Sequence, residues 1–199
     1  GESAQDTVNI FVLNGDGNNT LIDFETGDLS QANFNNNNGF AWSLTDEDAA
    51  SGNYSIVSSN RGVDGSSSQI SLNAVVTSGR IQFDRAVSSE LDFDFLQFKI
   101  DGNLVAQWSG ELSFQMVSFE VEAGQHEFTW VYQKDGSVHE GRDSAWIDNI
   151  NFVEPGENLS PIADAGQNQT ILPMDYFELL GTNSYDPDGT IVSFEWEQI

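Results

Sequence analysis

The sequence predicts an all-β protein built as an antiparallel sandwich of the jelly-roll type. Short runs rich in Thr, Val, Ile, Phe, Tyr and Trp alternate with polar residues, so that every second side chain would face a core. Clusters of Gly, Asn, Asp and Ser interrupt these runs about every 8–15 residues, a spacing typical of sandwiches and barrels. Apolar residues at helical spacing are almost absent.

The first half of the chain contains several alternating runs that we interpret as strands. In TLIDFE, Ile22 and Phe24 alternate with acidic residues, which predicts one apolar and one acidic face. The segment from Phe40 to Leu44 alternates in the same way. Apart from the segment at Phe40–Leu44, the predicted strands of this half are Asp6–Leu13, Thr20–Glu25, Gly52–Ser58, Gln69–Val76 and Arg80–Val87.

The second half continues the pattern with one irregularity. The parity of the apolar residues changes between Phe95 and Leu96, which predicts a β-bulge there. The dipeptide Asp101-Gly102 is typical of a tight hairpin turn. The strands predicted in this half are Asp92–Asp101, Leu104–Trp108, Phe114–Val121, Gln125–Tyr132 and Ala145–Val153.

A change of composition predicts a domain boundary after residue 154. The segment EPGENLSP has the Pro, Gly and charge content of a linker. The following PIADAGQNQTI and SYDPDGTIVSFEWEQI resemble the start of a PKD domain, an Ig-like β-sandwich, and the opening GESAQDTVNIFVLN resembles the last strand of such a domain. The predicted organisation is a terminal strand of a preceding PKD-like repeat in 1–14, a jelly roll in 20–154, a linker in 155–160 and the N-terminal part of a PKD domain in 161–199.

The two PKD-like ends allow three interpretations. The sequence is the ordered part of a longer protein, a fragment cut within a domain, or a subunit whose N-terminal strand completes the open sheet of a neighbouring copy. The third interpretation predicts a strand-exchanging subunit of an extracellular fibre, because half a sandwich exposes a sheet edge and an apolar face.

The central segment Leu21–Val153 resembles jelly-roll modules of bacterial surface proteins and secreted hydrolases, akin to MAM-like and cleaved-adhesin domains. The resemblance is carried by LIDFETG, by the hairpin FLQFKIDGN and by VEAGQHEFTWVYQKDGSVHEGRDSAWIDNINF, in that order. It implies adhesion or glycan binding outside the cell, often with a structural calcium ion.

The charge of the chain excludes some classes of partner. Six basic residues against 32 acidic ones give a net charge of −26, which repels nucleic acids and anionic membrane surfaces. No apolar run approaches the roughly 20 residues that a membrane-spanning helix needs. The absence of cysteine excludes disulfides and favours a bacterial exterior. The expected partners are a glycan, a cell-surface or matrix protein, neighbouring repeats, or further copies of the chain.

Acidic residues of the first and last jelly-roll strands form a candidate calcium site. Asp23 and Glu25 share the acidic face of the first strand, and Asp148 lies in the closing strand, which runs near the first in such folds. Calcium prefers about six to eight oxygen ligands, so loop carbonyls of Ser51–Asn53 or of the region around Asp28 would complete the shell. Asp143 is a further candidate, with capping of the preceding loop as its alternative role. The alternative for the whole set is solvated surface acids.

Three aromatic residues are candidates for stacking on sugar rings. Trp42, Trp108 and Tyr54 lie near polar loops, but each also falls in an alternating apolar pattern. Core packing is therefore the alternative for each of them.

Catalytic motifs are missing from the sequence. It contains no GxSxG elbow, HExxH helix or phosphate-binding loop. We therefore expect a non-catalytic, calcium-stabilised structural or adhesive module of a large bacterial surface or filament-forming protein. The main alternative is an accessory carbohydrate-binding module of a secreted protease or chitinase.

Overall fold

The computed structural model describes residues 11–12, 21–36 and 39–154, together with positions 162, 163, 181, 184–186, 191 and 193. The chain divides into two compact units, Gly1–Pro155 and Gly156–Ile199. The regular elements of the described residues are eleven strands. They are β1 (Phe11–Val12), β2 (Phe34–Asn35), β3 (Ser43–Thr45), β4 (Ser55–Val57), β5 (Ser67–Val76), β6 (Gly79–Ser88), β7 (Phe95–Ile100), β8 (Asn103–Trp108), β9 (Glu111–Val121), β10 (Gly124–Gln133) and β11 (Ser144–Val153).

The strands form two sheets, which confirms the predicted all-β sandwich of the jelly-roll type. The first sheet has the order β1-β5-β10-β7-β8, with β2 also paired to β5, and the second has the order β3-β4-β11-β6-β9. Apart from the parallel pair of β1 and β5, all neighbouring strands are antiparallel. No helix long and apolar enough to cross a bilayer occurs among the described residues.

The core lies between the two sheets and is rich in aromatic rings. Phe83 of β6 packs edge-on against Phe98 of β7 and Trp130 of β10, with ring centroids 4.8 and 5.4 Å apart. These three residues come from alternating positions of long strands, and all three are fully buried. The alternation seen in the sequence therefore determines which face of each strand enters the core.

The irregularity predicted at Phe95 and Leu96 is wrong in its position. Phe93 precedes β7 and is 56% exposed in a turn, so no extra residue is needed to bring Leu96 and Phe98 into the core. The register shift lies three residues further on, between Phe98 and Lys99, where β8 contributes the additional residue. The predicted turn at Asp101-Gly102 is confirmed, with φ of 51° and 76° at its two residues.

The predicted strand Thr20–Glu25 is reduced to one bridge among its described residues. Ile22 and Ile150 exchange two backbone hydrogen bonds of 2.8 and 2.9 Å, which joins the start of the domain to its last strand. Phe24 then adopts a φ of 59°, and its carbonyl accepts a hydrogen bond from the Gly27 amide. This left-handed residue ends the extended backbone immediately before Glu25.

The predicted terminal segments lie largely outside the described residues. Within 1–14, only Phe11–Val12 is described, and it pairs with β5 of the jelly roll itself. The predicted linker 155–160 lies outside the described residues. In the second unit, Ile162 and Tyr185 form an isolated antiparallel bridge. The remaining described positions of that unit do not test the PKD resemblance.

Candidate cation site and binding face

Two carboxylates hold the loop that joins β3 to β4 (residues 46–54). Asp148 Oδ2 accepts hydrogen bonds from the amides of Ala50 and Ser51, at 2.9 and 3.3 Å. Glu25 Oε1 accepts from the amides of Asn53 and Tyr54, both at 2.8 Å. We call this arrangement, Glu25 and Asp148 on one loop, the loop clamp. It joins the beginning of the domain, this loop and the last strand.

Backbone irregularities place both carboxylates at the loop. Asp148 ends the regular pairing of β11 with β6, and Asn149 follows with a φ of 49° while its amide donates to Asp148 Oδ1. Gly52 in the loop has a φ of 66°, and a Cβ there would collide with the Glu25 carboxylate. Glycine is therefore required both by the backbone conformation and by the close approach of Glu25.

The charge of Asp148 is buried without a basic partner. Its side chain is 0% exposed, and Asp84 of β6 lies directly opposite it in the ladder. Burial raises the pKa of Asp148 to about 6, although three backbone amides donate to it and lower it, and the charge of Asp84 raises it further. Burial also raises the pKa of Asp84. None of the ion pairs among the described residues includes Asp84, Asp148 or Glu25.

The loop clamp contains oxygen donors of the type that a hard cation such as calcium prefers. Carboxylate and amide oxygens are the ligands that calcium prefers, and a dication would offset the cost of burying an unpaired carboxylate. Asn149 Oδ1 and Ser51 Oγ lie 3.2 Å apart beside Asp148 and would add neutral oxygens. Hydrogen bonds from the amides of the loop hold the pKa of Glu25 below its usual range, so that this group stays ionised.

Asp23 and Asp143, the other predicted metal ligands, have different surroundings. Asp23 Oδ1 accepts hydrogen bonds from the Gln31 side chain at 2.8 Å and from the Glu25 amide at 3.1 Å, so it orients the segment that carries Glu25. Asp143 contacts the ammonium of Lys134. Within the described part of the chain, the one group of three metal-ligating side chains with oxygens within 4.8 Å of one another is Glu90, Asp94 and Asp135.

A second buried cluster surrounds Lys134, which follows β10. Its ammonium contacts Asp143, lies 3.2 Å from Asp94 Oδ2 and lies 3.1 Å from His139 Nδ1. Tyr132 donates to Asp143 Oδ1 at 3.0 Å. We call these five residues the Lys134 network. Burial opposes the ionisation of Asp143, but hydrogen bonds, led by that from Lys134, outweigh it and lower the pKa of this carboxyl.

The predicted sugar-stacking residues are directed mainly toward the core. Trp42 is 2% exposed and belongs to the buried cluster, so its ring offers no face to a sugar. Trp108 packs against that cluster, 6.3 Å from Phe83 between ring centroids, and Arg85 lies over its ring. Tyr54 is half-buried and also packs on the core.

A row of uncharged side chains lies on the face of the first sheet that is opposite the core, and its central member, Val131, is only 4% exposed. Gln69 of β5, Val131 of β10, Gln97 of β7 and Gln107 of β8 are register partners across four neighbouring strands. Because the residues that flank Gln97 in β7 are fully buried, Gln97 points away from the core. We call these four residues the amide row. The row is formed by the order and register of four strands, which the sequence does not show.

Comparisons with known proteins show the fold. No protein-family model and no curated protein sequence matches the chain. Its structure is similar to a family 22 xylan-binding domain, at 12% sequence identity over 70% of this chain and 96% of that chain, with a TM-score of 0.50. A family 22 carbohydrate-binding module from Clostridium thermocellum gives 10% identity over 70% of this chain and 94% of that chain, again with a TM-score of 0.50. The K2 cleaved adhesin domain of Lys-gingipain gives 12% identity over 68% of this chain and 99% of that chain, also with a TM-score of 0.50.

Proposed function

We propose that this chain is a non-catalytic extracellular module that binds a neutral glycan through the outer face of its first sheet and is stabilised by calcium at the loop clamp. The amide row carries the glycan assignment. The amides of Gln97 and Gln107 offer donors and acceptors, which match sugar hydroxyl groups. The row is uncharged although the chain carries a net charge of −26, which favours a neutral ligand over an anionic one.

The fold is consistent with this proposal. Two of the similar structures are carbohydrate-binding modules and a third is an adhesin domain. A surface or filament-forming protein that projects such modules is the setting that we propose, because the chain has no cysteine and a strongly acidic surface.

Calcium has a structural role in this proposal. Glu25 and Asp148 would hold the ion, with Asp84 supplying further negative charge beside Asp148. The ion would offset the repulsion between the buried carboxylate of Asp148 and the half-buried carboxylate of Asp84. It would thereby fix the loop 46–54 to both ends of the domain.

Binding to immobilised neutral polysaccharides, xylan among them, tests the glycan assignment. We expect the wild-type chain to bind at least one of them, and the double variant Gln97→Ala, Gln107→Ala to lose at least tenfold in affinity. Gln115→Ala in β9 of the second sheet is the matched control and should bind like wild type. Failure of the wild-type chain to bind any neutral polysaccharide with calcium present would overturn the proposed function.

A further inference from the structure

The Lys134 network places a buried amine against a buried carboxyl group. The side chains of Lys134, Asp94 and Asp143 are 1%, 0% and 4% exposed. Lys134 follows β10 of the first sheet, and Asp143 immediately precedes β11 of the second sheet. The contact between their side chains therefore connects the two layers of the sandwich.

We propose that Lys134 and Asp143 condense into an intramolecular amide bond that covalently joins the two sheets. The reactants are the ammonium of Lys134 and the carboxylate of Asp143, and the products are one amide and one water molecule. Charge and atoms balance without any further reactant. The low exposure of the two reacting side chains limits the access of water, which favours the amide over its hydrolysis.

Neighbouring side chains supply the proton transfers. One ammonium proton passes to Asp143 Oδ1 across the existing contact, which frees the nitrogen lone pair to attack Cγ. His139 Nδ1, 3.1 Å from the Lys134 nitrogen and 3.4 Å from Asp143 Oδ2, takes the second proton, and Oδ1 leaves as water once this proton has been returned to it. The other ring nitrogen of His139, Nε2, lies 3.3 Å from Asp64 Oδ1, and this contact orients the ring with Nδ1 toward the amine.

Fixed donors surround the carboxyl group that would be attacked. The Gly62 amide donates to Asp143 Oδ2 at 2.7 Å, where the negative charge of the tetrahedral intermediate would develop. The Tyr132 hydroxyl donates to Oδ1, the departing oxygen, at 3.0 Å. Asp94 Oδ2, 3.2 Å from the Lys134 nitrogen, holds the amine in position. Such pre-organisation supplies the proximity that an uncatalysed condensation lacks.

The covalent link would replace a disulfide in this chain without cysteine. The link would join the two ends of the segment between β10 and β11, one of the places where the polypeptide crosses from one sheet to the other. The two sheets would then stay joined at this end when other contacts are broken by force or denaturant.

Intact-mass measurement of the denatured full chain tests the proposal. We expect the wild-type mass to lie below the sequence mass by one water molecule, and Lys134→Arg, which keeps the charge, to have the full sequence mass. A succinimide at Asp135-Gly136 also loses water, but it would persist in Lys134→Arg. A wild-type chain of full sequence mass, or a deficit that persists in Lys134→Arg, would overturn the proposal.

Trypsin digestion locates the bond without relying on a variant. Arg142 is the last basic residue of the chain and lies between the two reacting residues, so cleavage after it separates them unless they are linked. We expect the peptides on the two sides of this cut to remain joined, with tandem mass spectra that place the branch at Lys134 and Asp143. Separate peptides, or a branch at Asp94, would contradict the assignment.

Discussion

The Lys134 network and the loop clamp both bury carboxylates in the same sandwich, but only the first contains a basic side chain. Asp143 accepts hydrogen bonds from an ammonium, and its pKa is lowered. Asp148 is at least as buried, has only amide donors, and its pKa is raised to about 6. The difference shows that backbone amides alone do not offset the desolvation of a carboxylate in this fold. The carboxylates of the loop clamp therefore have no cation among the described residues, whereas the Lys134 network contains one.

Replacing Lys134 by an uncharged residue should have the largest effect on stability. Lys134→Met removes the proposed link to Asp143 and leaves Asp94 and Asp143 buried without a counter-charge, and we expect the free energy of unfolding to fall by about 3–5 kcal/mol in urea titrations. Lys99→Met removes the same charge from the outer face of the first sheet and should cost within about 0.5 kcal/mol. Equal losses for the two variants would show that Lys134 is not the electrostatic partner that we describe.

Neutralising Asp148 should increase the stability of the protein when metal is absent, whereas Lys134→Met decreases it. In the presence of a chelator at pH 7, Asp148→Asn removes an unpaired buried charge and should raise the free energy of unfolding by up to about 3 kcal/mol, the equivalent of its pKa shift. Chemical denaturation with excess chelator measures the change. Glu122→Gln, at an exposed acidic residue, should leave stability unchanged. A loss of stability in Asp148→Asn under these conditions would show that the ionised form is already compensated.

Gly52→Ala should weaken the loop clamp by about 1–2 kcal/mol, because its φ of 66° is strained for alanine and the new Cβ meets the Glu25 carboxylate. Thermal melts with calcium present measure the loss. Gly39→Ala is the matched control, since a Cβ at Gly39 meets no atom within 4 Å and its backbone is not left-handed. If both substitutions have the same effect, the close approach of Glu25 to the loop is not important for stability.

In the presence of a chelator, the change of stability with pH should be the smallest of these effects. The pKa of Asp148 is about 6 in the folded chain and 3.8 in its ordinary state, so the folded chain binds more protons between these values. Stability contributed by this group therefore rises as the pH falls from 7 to 5, by about 1 kcal/mol. Comparing the free energies of unfolding of wild type and Asp148→Asn at each pH separates the contribution of Asp148 from the contributions of the other acidic residues. A difference that does not change with pH would place the titration elsewhere.

The fold class was predictable because its signals are local. Alternation along each strand and the Asp101-Gly102 turn depend on neighbouring residues, and both appear in the structure as expected. The strand predicted around Phe24 failed because a single left-handed residue interrupts it, and alternation does not reveal φ. The misplaced bulge has a similar cause, since Phe93 is an exposed apolar residue in a turn and was assigned to the strand.

The candidate sites were predictable only in part. The sequence placed Glu25, Asp148 and the loop around Ser51 in one hypothesis, because the first and last strands of a jelly roll are neighbours. It did not predict that Lys134 would pair with Asp143, or that three glutamines would share one register row. Those relations depend on which strands are neighbours and on how they are aligned, which no short sequence pattern contains.

Calcium addition to chelator-treated protein tests most directly whether the loop clamp lacks an internal cation. We predict that calcium raises the melting temperature of the wild-type chain by several degrees, because an ion bound only by the folded state stabilises it, and that Asp148→Asn shows no such rise. A wild-type melt that is unchanged by calcium, or an equal rise in Asp148→Asn, would contradict this account.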